Sequence, residues 1–105
     1  MPRGEQNGGP YDVDCSGVIA RALERVQERA SLAGRGKQAL LAIRQIWQRL
    51  RNDPTHFGEP LYRLPALRLQ IRSAVVAPIV VHFGVSEDRP LVFIQGMELL
   101  GKGDS

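Results

Sequence analysis

At 105 residues, 43% hydrophobic and 24% charged, the chain has the size and balance of one small folded domain, which excludes disorder throughout. It has no apolar run near the roughly 18 residues of a membrane span and no leader of basic, apolar and small-residue regions, so no membrane partner is expected. Cys15 is the lone cysteine, which rules out an internal disulfide framework and makes a reducing, cytoplasmic setting the expectation.

Residues 1–10, MPRGEQNGGP, carry glycine and proline without apolar periodicity and read as a flexible tail, as do residues 101–105. Between them, residues 11–100 are expected to form a single domain. "YDVDC" alternates briefly and predicts a short edge strand. From Ser16 the period becomes helical: Val18, Ile19, Ala22, Leu23, Val26 and Ala30 recur on one face, opposite Arg21, Glu24, Arg25, Glu28 and Arg29. Ser16 or Asp14 can cap the start, and Gly34 and Gly36 close the end. A second helix is predicted over Lys37–Arg51, with Leu40, Ile43, Trp47 and Leu50 as its stripe and Asn52-Asp53-Pro54 as its stop. Lys37, Arg44 and Arg51 follow at seven-residue spacing along its rim. The two helices make an antiparallel hairpin.

"THFGEPLYRLP" then reads as a loop rich in breakers. Three strand signals follow: "LRLQIRSAVV" (67–76), "IVVHFGV" (79–85) and "PLVFIQGMELL" (90–100). Their short connections predict a three-stranded antiparallel meander, with the both-faced apolar "IVVHF" in the middle. The fold class expected is therefore α+β, a helical hairpin packed on a small antiparallel sheet in the order β-α-α-β-β-β.

The alternation in "LRLQIRS" sets Leu67, Leu69 and Ile71 on one face and Arg68, Gln70 and Arg72 on the other. The expectation is that leucines and isoleucine face the core and that the arginines face outwards. Residues 29–72 hold nine basic side chains against two acidic ones, and the remainder holds five against nine, the asymmetry of a protein with one side facing a polyanion. Lys37, Arg44, Arg51, Arg63 and Gln70 are thus candidate nucleic-acid or partner contacts.

Other motifs are weaker. "GRGKQ" (34–38) imitates a phosphate loop, but Ser31 stands where its first glycine belongs and Gln38 where its hydroxyl belongs, so no nucleotide cofactor is expected. His56, His82 and Cys15 are in no metal-ligand spacing, and no metal is expected. Asp12 and Asp14 beside Cys15 predict a raised thiol pKa and a poor nucleophile. His82 shares a face with Val80 and Gly84. Were that face also the one of Arg68, Gln70 and Arg72, an imidazole and two guanidiniums would converge in a manner suited to phosphodiester chemistry.

Taken together, the opening "YDVD", the helical hairpin, "DPTHFGEPLYRL", "LRLQIRS" and "IVVHFGVSEDRPLVFIQGMEL" resemble the RelE/ParE-like toxin superfamily of bacterial toxin–antitoxin systems over roughly residues 11–99. The resemblance implies an antiparallel sheet cradling two helices. It also implies one of two activities, ribosome-dependent cleavage of messenger RNA or poisoning of DNA gyrase, and neutralisation by a cognate antitoxin. Arg72 matches a position functional in the cleaving branch, and Arg68 shares its strand. Two departures are plain. "VVAPIVV" stands where the family often has a Tyr-Arg step, and "QGMELLGKGDS", with Lys102 its lone base, stands where cleaving members carry His, Arg, Lys or Tyr. Loss of general acid–base help alone costs roughly 10²–10⁴-fold in rate. The expected protein is a toxin-like component that binds through a basic sheet and helix face, with weak or no nuclease activity. The alternatives are a ribosome-dependent endoribonuclease using Arg72, Arg68 and His82, and a non-catalytic homodimer paired along its "VFI" strand edge.

Overall fold

A computed structural model describes residues 10–100; the tails expected at either end lie outside the described residues, apart from Pro10. Strand β1 (Asp12–Asp14) leads into helix α1 (Gly17–Leu32), then α2 (Gly36–Asn52) and a 3-10 turn (Pro54–His56). Strands β2 (Glu59–Leu64), β3 (Leu69–Val76), β4 (Ile79–Ser86) and β5 (Leu91–Leu99) follow.

Local chemistry sets the helix ends. The Ser16 Oγ accepts from the Ile19 N–H at 3.3 Å, satisfying one of the orphan amides of the first turn. Gly34 closes the hairpin at φ +75°, a conformation glycine adopts without a Cβ penalty. At the far end Pro54 opens the 3-10 turn, so the chain leaves α2 at the predicted stop.

The buried stripe of α2 is Ala39, Ala42, Ile43, Ile46 and Leu50, with Trp47 half-buried, while Leu40 is 43% exposed. The stripe is therefore turned from the predicted one. Burial of the small Ala39 and Ala42 on this stripe turns the helix so that the bulky Leu40 lies in solvent. On α1 the buried residues are Ile19, Val26 and Ala30, and Val18 is exposed.

The sheet has five strands in the order β1-β5-β4-β3-β2. β4 lies in its middle, as its apolar faces require. The sheet is mixed and not purely antiparallel, because β1 pairs parallel to β5, Val13 opposite Val92. The stretch expected as a loop also contributes a strand, since β2 pairs antiparallel with β3. Its Pro60 is tolerated because β2 is an edge strand with an irregularity between Pro60 and Tyr62, where a missing N–H breaks no central ladder. Most of the "VFI" stretch is not a free edge. Val92 and Phe93 pair with β1 on one side and β4 on the other, while Ile94 has no partner on the β1 side.

Both helices cover one face of the sheet. The core joins Ile19, Val26, Ile43, Ile46 and Leu50 to Ala74, Val81, Phe83, Val85, Val92 and Ile94. Arg72 pairs with Phe83 and Ala74 with Val81, so Arg72 and Ala74 point toward the helices. Ile71, opposite Gly84, points to the open face. The alternation of "LRLQIRS" is thus realised within the strand, but the assignment of faces is reversed. Leu67 and Arg68 precede the strand, in a turn where Arg68 takes φ 54°.

Candidate functional site

Arg72 is the most informative of the expected site residues. Its side chain is buried, at 6% exposure, beneath the segment that leaves α2. Nε donates to the Phe57 carbonyl at 3.0 Å, Nη2 to the Gly58 carbonyl at 3.2 Å and Nη1 to Gln70 Oε1 at 2.8 Å. Phe57 stacks on Phe83 with centroids 5.7 Å apart. Arg49 covers its ring at 4.7 Å, while donating to Asp53 Oδ1 at 3.0 Å and to the His56 carbonyl at 3.3 Å. Gly58, at φ +71°, brings its backbone so close that a Cβ there would collide with the Ser73 carbonyl. Arg49 and Arg72 thus fasten residues 53–58 to α2 and β3. A planar guanidinium suits this task because its fixed fork reaches two successive carbonyls at once. No carboxylate among the described residues lies within ion-pair distance of Arg72. Its charge is stabilised by neutral acceptors alone. Gln70, expected as a contact residue, is half-buried and orients Arg72.

The other arginines of this region are engaged as well. Arg68 Nη1 lies 3.1 Å from Asp88 Oδ1. Arg63 grips Glu87 with Nε and Nη2 at 2.6 and 2.8 Å. The Arg63 hydrogen bond holds the Glu87 carboxyl below its ordinary value, opposed by desolvation and aided by the charges of Arg63 and Arg68. The sheet corner expected to be basic is therefore neutralised, because the turn before β5 brings Glu87 and Asp88 back over it.

His82 does not meet the arginines. It pairs with Ser73 on the open face, whereas Arg72 points to the core. Its Nε2 lies 3.8 Å from Glu98 Oε2. The expected convergence of His82 with Arg68 and Arg72 is thus absent, since adjacent residues of a strand point to opposite faces. A groove of about 400 Å³ lined in part by Arg25, Arg29 and Met97, and another of about 190 Å³ beside Phe57, hold neither His82 nor Arg72.

Helix α2 keeps its cations accessible. Lys37 and Arg44 are exposed and Arg51 is half-buried. The helix contains no Asp or Glu, and among the described residues none of the three is ion-paired. Leu40 and Leu41, 43% and 58% exposed, lie on the same outer side. Cys15 is half-buried, and burial followed by the Asp14 charge raises its thiol pKa, the direction expected. Among the described residues no three His, Cys, Asp or Glu side chains group closely enough to hold a metal. No helix among them is long and apolar enough to cross a membrane.

Two features were missed in the sequence. The Phe57–Gly58 cradle of Arg72 had a signal in "HFGEP", an aromatic and a glycine between breakers. The open face also carries Asp12 and Asp14, which flank the inward Val13, together with Glu59 opposite Ser73 and Glu98 opposite Val80. These features define a two-layer α+β domain whose sheet arginines bond internally and whose accessible cations, Lys37 and Arg44 of α2 and Arg21, Arg25 and Arg29 of α1 among them, lie on the helices. Compared with family models, curated proteins and solved structures, the chain finds no match.

Proposed function

We propose that the chain is a RelE/ParE-like, toxin-type component of a toxin–antitoxin pair that acts by binding, through the outer face of α2, with little or no nuclease activity. The order of a short strand, a helical hairpin and an antiparallel meander supports the family reading. The observation that carries the binding mode is the contrast between two sets of cations. Arg63, Arg68 and Arg72 are occupied by Glu87, Asp88 and backbone carbonyls, while α2 offers Lys37, Arg44 and Arg51 without a carboxylate on the helix. Leucines between these cations favour a protein partner, such as an antitoxin or the molecular target, because a purely phosphate-reading face needs no apolar contact.

The test is growth of a bacterial culture after induced expression. The wild type is expected to halt growth, and Lys37→Glu/Arg44→Glu, with an unchanged circular dichroism spectrum, is expected to restore it. A harmless wild type that is folded and soluble overturns the toxin reading. Arrest that survives the α2 reversal but is lost in His82→Ala, with cleaved messenger RNA, overturns the binding mode in favour of the endoribonuclease.

A further inference from the structure

The second surface is the open face of the sheet, opposite the helices. Its middle is apolar. Tyr62 pairs with Ile71, Ile71 with Gly84 and Gly84 with Phe93, a continuous row across four strands. Gly84 leaves room into which Ile71 and Leu69 lean, since a Cβ there would meet their Cδ1 atoms at 3.2 and 3.6 Å. The leaning side chains level the face, so that Ile71 at its centre is only 2% exposed, and the accessible apolar surface is offered by Tyr62 and Val75, 56% and 58% exposed, with Leu69 and Phe93 half-buried.

The border is acidic on opposite sides. Asp12 and Asp14 stand on β1, at one edge of the sheet, and Glu59 stands on β2, at the other. Glu98 stands on the same face of β5 and reaches His82 at 3.8 Å. No Lys or Arg among the described residues pairs with any of the four. In a chain of net charge +3, the accessible cations thus lie on the helix side, Asp12, Asp14 and Glu59 lie on the open sheet side, and Glu98 stands at a border it shares with Arg25 and Arg29.

We propose that this face docks a cationic amphipathic helix of a partner protein. A sheet buries an apolar face by taking a layer of helices, and here only one face has its layer. The dimensions agree. Four strand spacings separate β1 from β2, roughly 19 Å. A helix with its side chains is roughly 10–12 Å across. Lysines and arginines flanking its apolar stripe extend sideways, stems on the apolar surface and heads toward the border carboxylates. An acidic or nucleic-acid partner is disfavoured, since it would set like charges against all four.

The experiment titrates the full chain with a synthetic 17-residue helix carrying Leu at i, i+3, i+4 and i+7 and Lys at the flanks, beside its twin with Glu for Lys. The Lys peptide is expected to bind at least about 10-fold tighter than the Glu twin, despite the net positive charge of the protein. Asp12→Asn/Asp14→Asn, both exposed and fold-neutral, is expected to weaken it by about fivefold. Amide shifts are expected at Tyr62, Ser73 and Phe93, not on α2. Equal binding of the two peptides, indifference to the Asp substitutions, or shifts confined to α2 overturns the proposal. Self-association of the chain alone, abolished by Lys37→Glu/Arg44→Glu, also overturns it, by making a second copy the occupant. None of these readouts depends on growth arrest, so this proposal and the toxin reading fail separately.

Discussion

Replacing Arg72 with methionine keeps most of the stem that packs beneath residues 57–58 and removes the guanidinium. Three hydrogen bonds from an ionised donor are lost. At about 1.5–3 kcal/mol each, the gross loss is roughly 5–9 kcal/mol. Against this, burying a charge that no carboxylate compensates costs several kcal/mol, and the substitution recovers that cost. The net destabilisation expected is about 2–4 kcal/mol, carried by the Phe57 and Gly58 carbonyls left without a donor. Urea unfolding followed by circular dichroism should show it as a midpoint lowered by roughly 2 M. Arg72→Lys should recover only part, since an ammonium is a point donor and not a fork. Arg68→Ala, which removes an ion pair 68% and 48% exposed on its two sides, should cost about 0–1 kcal/mol. An Arg72→Met variant within about 0.5 kcal/mol of wild type, or an Arg68→Ala variant equally destabilised, would refute the account of Arg72 as a structural clasp. The consequence for function is direct. Arrest lost in Arg72→Ala reports on folding before it reports on catalysis.

Gly58→Ala should destabilise by about 2–4 kcal/mol or prevent folding, because the Cβ meets the Ser73 carbonyl at a positive φ; Gly17→Ala, with open space around it, is the matched control in the same urea series. Cys15 should react with a thiol reagent at pH 8 more slowly than the unfolded chain does, since burial and Asp14 raise its pKa; equal rates would contradict the burial. The Arg63–Glu87 pair should contribute above the pH at which an unfolded glutamate ionises and fade as pH falls through the lowered pKa of Glu87. A double-mutant cycle of Arg63→Ala and Glu87→Gln at pH 7 and pH 3 reads this, and a coupling that grows on acidification contradicts the sign.

Periodicity made most elements legible in the chain itself. The brief alternation of "YDVDC", the helical spacing from Ser16, the stop at Asp53-Pro54 and the alternation near residue 70 are local patterns, and the helices and four of the five strands follow from them. β2 was not legible, because "EPLYRL" has a proline and little alternation. Its pairing comes from β3, a partner that the stretch itself does not announce. The turned stripe of α2 likewise depends on its packing in the tertiary structure, which buries Ala39 and Ala42 in place of Leu40.

The site was legible as residue types and not as an arrangement. Alternation separates Arg72 from Ile71, but which of the two meets the helices is decided by the register with Phe83 and Gly84 and by Phe57 folding in above. The same register parts His82 from Arg72, and the turn before β5 returns Glu87 and Asp88 to neutralise Arg63 and Arg68. The sequence by itself determined every element but β2, their order and the charge on α2, because each rests on neighbours within a few residues. Only the tertiary structure decided which arginines are free, because a guanidinium is claimed by whichever acceptors the fold brings to it, and apart from Gln70 those acceptors lie 14 to 24 residues away.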